Sequence, residues 1–289
     1  MAKSMTLKQF QSKFPTDLAC LNHLFKIRYG NEPVCPKCGQ IDTFHKLANI
    51  PAYTCNCGHH VHPMAGTPFQ STRTPLTTWF QVMYLFTSSR NGVSAKEVQR
   101  LTGVTYKTAW RICNEIRKYM GWVDGDAPLG GSGPKAKIVE IDQMYFGGKD
   151  KKGHDDKAVV FGAVERDGSV ITRITNNKGS FSAMNNVKQT VKKGSHVMTD
   201  TASNFQSMAD HGYKHEMVNH KAKEYVRGNV HTNSIESFWS HVQRSIKGTH
   251  IWVSKKHLQT YLCEFEYRHN RRRSPELMMD ALLRAFPKA

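Results

Sequence analysis

Three carboxylates and four thiols carry the chemistry open to this sequence. Glu236 lies in His231-Thr-Asn-Ser-Ile-Glu-Ser-Phe-Trp-Ser-His-Val-Gln-Arg-Ser-Ile-Lys247, where Ile235, Phe238, Trp239, Val242 and Ile246 recur at helical spacing. The pattern predicts an amphipathic helix anchored by that face, with Asn233, Glu236, Ser240, Gln243 and Lys247 on another. Thr232 is placed to cap it, since its hydroxyl can accept an orphan backbone N–H. A carboxylate in the first turn of an anchored helix is held rigidly, as a metal ligand must be. The competing reading is a solvated glutamate favoured there by the helix dipole. Two aspartates bear on the choice. Lys137-Ile-Val-Glu-Ile-Asp142 and Ser195-His-Val-Met-Thr-Asp200 both read as short apolar strands ending in an acid. Open α/β sheets place their sites at such strand ends. Between Asp200 and Glu236 lie 35 residues.

The thiols form a second constellation. Cys35-Pro-Lys-Cys38-Gly is a zinc knuckle, and Cys55-Asn-Cys57-Gly follows after 16 intervening residues. Zinc ribbons repeat the two-residue gap, and here the second knuckle is one residue short. Either Cys57 binds from a tightened loop, or His59, His60 or His62 replaces a thiolate. Cys20, Cys113 and Cys263 fall within helical patterns and read as small buried apolar groups. Seven cysteines without a secretion signal argue against a disulfide framework and for a reducing cytoplasm.

The words around the acids are more specific than the acids themselves. Val139-Glu-Ile-Asp-Gln-Met-Tyr-Phe-Gly-Gly-Lys149, Asp200-Thr-Ala-Ser-Asn204 and His231-Thr-Asn-Ser-Ile-Glu-Ser-Phe-Trp-Ser240 resemble the ISXO-type insertion-sequence transposases. Asp142, Asp200 and Glu236 resemble the Asp, Asp, Glu triad of the RNase H-like (DDE) transposases. The resemblance covers most of the chain. It implies an α/β fold: an RNase H-like catalytic domain preceded by a zinc ribbon and a helix-turn-helix DNA-binding domain. It implies two catalytic Mg²⁺ or Mn²⁺ ions, with Asp142 shared, Asp200 on one metal and Glu236 on the other. Zinc is then structural, and counting back from Ala65-Gly-Thr-Pro-Phe69 puts Cys57 at the family's fourth ligand. Asn233, His231, Lys149 and Arg244 become candidate neighbours of the site. Some members carry asparagine in place of the glutamate, so Asn233 and Glu236 both stand as third-ligand candidates. Two positions depart from the family: Gln143 replaces the usual glutamate after Asp142, and Gln243 replaces a basic residue found in many members, so that either Arg244 or Lys247 reaches phosphate or this contact is missing. Glu140 shares a strand face with Asp142 and reads as a supporting group.

These groups need elements to hold them. Residues 1–70 read as two short helices, with Leu18, Leu21, Leu24 and Phe25 as a buried stripe, followed by the zinc ribbon. Residues 71–121 read as three helices. The last two are joined through Gly103, and Tyr106, Lys107, Thr108 and Arg111 open the helix expected in the major groove. Residues 122–136 are rich in glycine and read as a linker. Residues 137–289 read as three antiparallel strands, a helix and a further strand, then the Glu236 helix and C-terminal helices. The run Arg268-His-Asn-Arg-Arg-Arg273 reads either as a solvated face or as a phosphate contact.

The charge suits that assignment. The formal net charge is +18, which calls for a polyanionic partner. It is distributed as +4, +6, +1 and +7 over residues 1–70, 71–121, 122–220 and 221–289, so the acids gather around Asp142 and Asp200. The expected partner is double-stranded DNA, as terminal inverted repeats and target, with at least two subunits needed to synapse two ends. No apolar run suggests a membrane span, and the expected location is the cytoplasm, on the bacterial nucleoid. Two other functions fit the same residues: a DNA-binding regulator with an inactive catalytic domain, and a stand-alone metal-dependent nuclease.

Overall fold

The computed structural model describes residues 5–147, 157–175, 177–201 and 203–286. The chain divides into two units, residues 1–123 with 273–289, and residues 124–272.

In the first unit, α1 (Leu7–Lys13) and α2 (Asp17–Tyr29) begin at the threonines that cap them. Thr6 and Gln9 form a reciprocal capping box. Cys20, Leu21, Leu24 and Phe25 are buried, whereas Leu18 is 50% exposed. At 3.6 residues per turn, Leu18 falls about a quarter turn from the centre of that stripe. β1 (Phe44–Lys46), β2 (Tyr53–Cys55) and β3 (His60–Val61) form a small antiparallel sheet. Phe25 docks it on α2, stacking on Tyr53 with centroids 4.1 Å apart. Three helices follow: α3 (Leu76–Ser88), α4 (Ala95–Thr102) and α5 (Tyr106–Asp124). Ser94 caps α4 by accepting the Glu97 N–H. Gly103 ends α4 at φ +72°, a left-handed turn that side chains resist.

α5 runs to Asp124, so the expected linker opens as helix. The rest of it is also tied down. Leu129 N–H donates to Thr190 O at 2.8 Å, Gly130 N–H to Glu165 Oε1 at 2.7 Å and Gly131 N–H to Ser195 Oγ at 2.8 Å. These glycines supply backbone donors to the second unit rather than slack.

The second unit holds β4 (Val139–Phe146), β5 (Ala158–Glu165), β6 (Val170–Thr175), α6 (Ser180–Thr190), β7 (His196–Asp200), β8 (Lys214–Val218), α7 (Asn233–Ser245) and α8 (Lys255–Asn270). Its sheet runs β6-β5-β4-β7-β8. The first three strands are antiparallel, and β7 and β8 run parallel to β4. α6 covers one face through Ala183, Met184 and Val187. α7 and α8 cover the other through Ile235, Trp239, Val242, Leu262 and Phe265. The result is a mixed α/β architecture. β8 had no signal in the sequence, because of its residues only Val218 is buried.

The chain then departs from expectation. α9 (Met278–Ala285), expected with the catalytic domain, belongs to the first unit. Its apolar face packs on α2 and α3, and Phe286 just beyond it meets Phe69 and Tyr119 edge-on at 5.0 and 4.4 Å. The basic run turns inward over most of its length. Arg268 is buried and pairs with Glu264 at 2.5 Å, Arg271 lies over the Tyr267 ring, and Arg272 donates to Gly168 O at 2.9 Å. No helix among the described residues is long and apolar enough to cross a membrane.

Candidate active site and metal centre

The four ribbon cysteines converge. The Sγ atoms of Cys35, Cys38, Cys55 and Cys57 all lie within 4.8 Å of one another. Cys35 and Cys57 are 3.7 Å apart, and Cys38 and Cys55 3.6 Å. Tetrahedral zinc with bonds of about 2.3 Å sets its sulfurs about 3.8 Å apart, so the spacing fits that ion. The short second knuckle closes through Gly58, whose N–H returns to Cys55 O at 2.8 Å with φ +80°. Cys57 therefore completes the cluster, and His59, His60 and His62 stand outside it. The Cys57 backbone N–H and the Thr43 hydroxyl lower the Cys55 thiol to about 6, toward the thiolate a metal requires.

The acids are organised by β4. Its parallel pairing with β7 sets Val139 opposite Val197 and Glu140 opposite Met198. Carried two residues on, that register brings Asp142 level with Asp200. Side chains alternate along a strand, so Glu140, Asp142, Met144 and Phe146 share the face that α7 covers. Asp142 lies within β4 rather than at its end, because β5 keeps pairing β4 as far as Phe146. Asp200 does end its strand. Burial pushes the Asp142 carboxyl above the ordinary carboxylate range, and the charge of Asp200 adds to this, while the Gln143 N–H at 2.7 Å and Lys178 act the other way. Two neighbouring carboxylates of this kind present hard oxygen ligands and favour a cation between them.

α7 carries Glu236, and a carboxylate from β4 starts that helix. Thr232 makes no capping bond. Its hydroxyl donates instead to Glu236 Oε1 at 2.7 Å. Glu140 takes over as cap. Its Oε2 accepts the N–H of Ser234 at 2.7 Å and of Ile235 at 3.1 Å, and its Oε1 accepts the Ser234 hydroxyl at 3.0 Å. The fully buried Glu140 carboxylate is matched by Arg166, whose Nε lies 2.6 Å away. The same guanidinium donates to His231 O at 2.9 Å and Asn229 O at 2.8 Å, fixing the chain that leads into α7. Across from Asp142 on β5 stands Gly162. A Cβ there would come within 2.4 Å of the Trp239 ring, so the missing side chain lets α7 lie close to the sheet.

Glu236 does not close into a three-carboxylate cluster with Asp142 and Asp200 at the 4.8 Å spacing of the thiols. Its side chain is half exposed, with His220 Nε2 3.6 Å from Oε1. Asn233 is exposed at the first residue of α7, and His231 Nδ1 lies 3.3 Å from Glu140 Oε1. Arg244 is exposed near the end of α7, whereas Gln243 turns to the sheet, its Nε2 3.1 Å from Met144 Sδ. Lys149 lies outside the described residues. On α5, Tyr106, Lys107 and Arg111 are exposed, and the Thr108 hydroxyl accepts from Thr105. Arg111 lies over the buried Trp79 ring at 5.2 Å.

Sequence reasoning missed Arg166, Gly162, Lys178 and His220. Arg166 sits in an ordinary hairpin and Gly162 in an apolar strand, and neither carries a local motif. Only the folded sheet brings them to Glu140 and Asp142.

Known families place these two centres together. A transposase zinc-ribbon domain matches residues 15–60, and an ISXO2-like transposase domain matches residues 129–270. The chain carries an ISXO2-like transposase domain. All four clustered cysteines fall in the transposase zinc ribbon, and Asp142, Asp200 and Glu236 fall in the transposase domain. The match to the transposase domain begins at Leu129, whose N–H donates to Thr190 O. A protein in transposable element ISH50 of Halobacterium salinarum is 26% identical over 290 residues, covering 91% of this chain and 94% of its own length. A transposase-like protein of Haemophilus influenzae is 28% identical over 101 residues, covering 35% of this chain and 80% of its own.

Proposed function

We propose that this protein is a DNA transposase of the Asp, Asp, Glu type, which cleaves DNA at transposon ends and joins the freed 3′-OH to target DNA. One observation carries this reading: Asp142 lies near enough to Asp200 to feel its charge, on the strand to which Glu140 ties the helix bearing Glu236. The order of three antiparallel strands and two parallel ones, with the acids on β4, β7 and a later helix, supports an RNase H-like domain. Asp142, Asp200 and Glu236 would hold Mg²⁺ or Mn²⁺, whose hard-oxygen preference they meet. Bound there, the metal supplies Lewis-acid activation of the attacking oxygen and charge stabilisation at the leaving 3′-oxygen. Where two ions are bound, each would be held by only part of the carboxylate set, which would accommodate the half-exposed position of Glu236.

The chain's own residues do the positioning. Asp142, between Asp200 and α7, is suited to be the shared ligand. Glu140 and Arg166 hold α7 and the loop before it, so Glu236 keeps its bearing on Asp142. Lys178, beside Asp142, suits a phosphate oxygen. In the first unit, α4, the Gly103 turn and α5 serve as a helix-turn-helix, with Tyr106, Lys107, Thr108 and Arg111 toward the groove. The cysteine cluster holds a structural zinc. Synapsis of two ends calls for at least two copies of the chain.

The test uses duplexes carrying the inverted repeats that flank the gene. With Mg²⁺ the protein should nick these ends and join them to a second duplex, and chelation should stop both steps. Binding without cleavage would assign a regulator. Cleavage without joining would assign a nuclease.

A further inference from the structure

α7 does not end in an ordinary cap. Ile246–His250 form a π-helical turn, a feature that recurs at functional sites. Ile251 then takes φ +63° and ψ −51°, and Trp252 N–H donates back to His250 O at 2.7 Å. This is a γ-turn of positive φ, the rare and strained form, centred on a β-branched side chain. The turn presents two large apolar side chains to solvent. Ile251 is 82% exposed and Trp252 56%, although the next residue, Val253, packs against the core.

The surroundings are cationic. Arg244, Lys247, Lys255 and Lys256 are exposed on either side of the turn. No acidic residue occurs from 237 to 263. From Glu236 the rest of α7 and the π-helical turn run 14 residue steps to His250, which at 1.5 Å per residue puts the turn about 20 Å away. An apolar tip rimmed by cations matches a partner with anionic edges and a stacked apolar interior. A second copy of this chain suits the rim less well, because it carries 41 Lys and Arg against 23 Asp and Glu.

We propose that Ile251 and Trp252 form a wedge that enters a DNA duplex between base steps, while Arg244, Lys247, Lys255 and Lys256 take the flanking phosphates. The proposal rests on the DNA-transposase reading above and adds a contact that deforms the substrate. Insertion requires local unstacking, which a mismatch makes easier.

The experiment compares two probes with the full chain: a short fully paired duplex, and the same duplex with two adjacent central mismatches. Wild type should bind the mismatched duplex about fivefold more tightly or better, since unstacking is costly in the paired one. Trp252→Ala and Ile251→Ala should erase that preference while keeping affinity for the paired duplex and its salt dependence. Trp252→Phe, which keeps a stacking ring, should retain the preference and so separates loss of the wedge from loss of the fold. The proposal is overturned if wild type shows no preference, or if Trp252→Ala keeps it. Lower sedimentation mass in the alanine variants with the preference intact would give the turn to a second copy and also overturn it. Failure of wild type to bind either duplex would instead sink the DNA reading on which the wedge depends.

Discussion

Glu140 accepts the Ser234 backbone N–H at 2.7 Å, and through this bond β4 sets the start of α7. The strand bearing Asp142 and the helix bearing Glu236 are thereby one mechanical piece. A fully buried carboxylate holding that position needs Arg166 opposite it. Removing one partner of a buried pair leaves the other charge uncompensated, at a cost of about 3–5 kcal/mol. Glu140→Ala and Arg166→Met should each lower the denaturation midpoint by an amount of that order. The double variant should lose much less than the sum of the two. Additive losses in a double-mutant cycle would show that the pair does not act as a unit.

The cysteine cluster should hold one zinc per chain after purification without chelator. Cys57→Ser should lose the metal and destabilise the ribbon, and His59→Ala, His60→Ala and His62→Ala should not. Elemental analysis that finds zinc retained in Cys57→Ser would restore a histidine as fourth ligand.

The exposed start of α5 is the expected DNA contact of the first unit. Affinity of the full chain for its end duplex should fall steeply with salt as counterions are released. Arg111→Ala should weaken binding to the end duplex more than to a random duplex, by about 1–3 kcal/mol if the guanidinium reads a base edge. Equal losses on the two duplexes would reduce Arg111 to a phosphate contact.

Glu266 makes stability depend on pH. Its carboxyl is buried, accepts from the Thr172 N–H and hydroxyl, and is pushed up from 4.5 to about 8, chiefly by burial. The folded state therefore keeps a proton that the unfolded chain releases near pH 4.5. This group's stabilisation is complete below pH 4.5 and is lost as pH rises through 8. Glu266→Gln should match wild type in acid and become relatively more stable toward pH 8, as melting curves across that range would read. A stability difference independent of pH would contradict the buried proton.

Local signals in the sequence carried most of this architecture. The Gly103 turn and the apolar stripe of α7 depend on neighbours within a few residues, and each stands where its spacing put it. Three features failed for one physical reason, that they depend on partners far along the chain. α7 takes its cap from Glu140, 94 residues away, rather than from Thr232. α9 leaves the second unit because α2 and α3 offer its apolar face a partner. Asp142 lies within a strand because β5 extends β4 beyond it. Glu140 was visible as a neighbour of Asp142, but its tie to Ser234 and Ile235 was not.

The assignment of Glu236 over Asn233 is the point on which the active-site reading turns. An ionised carboxylate adds a full negative charge beside a divalent ion, whereas a carboxamide offers only a neutral oxygen. The measurement is Mg²⁺-dependent strand transfer on end duplexes by Asp142→Asn, Glu236→Gln and Asn233→Ala, with DNA binding followed in parallel. Asp142→Asn and Glu236→Gln should bind DNA as wild type does and join no strands, while Asn233→Ala should be slower but active. Strand transfer by Glu236→Gln near the wild-type rate, with Asn233→Ala inactive, would contradict the assignment and make the site an Asp, Asp, Asn centre.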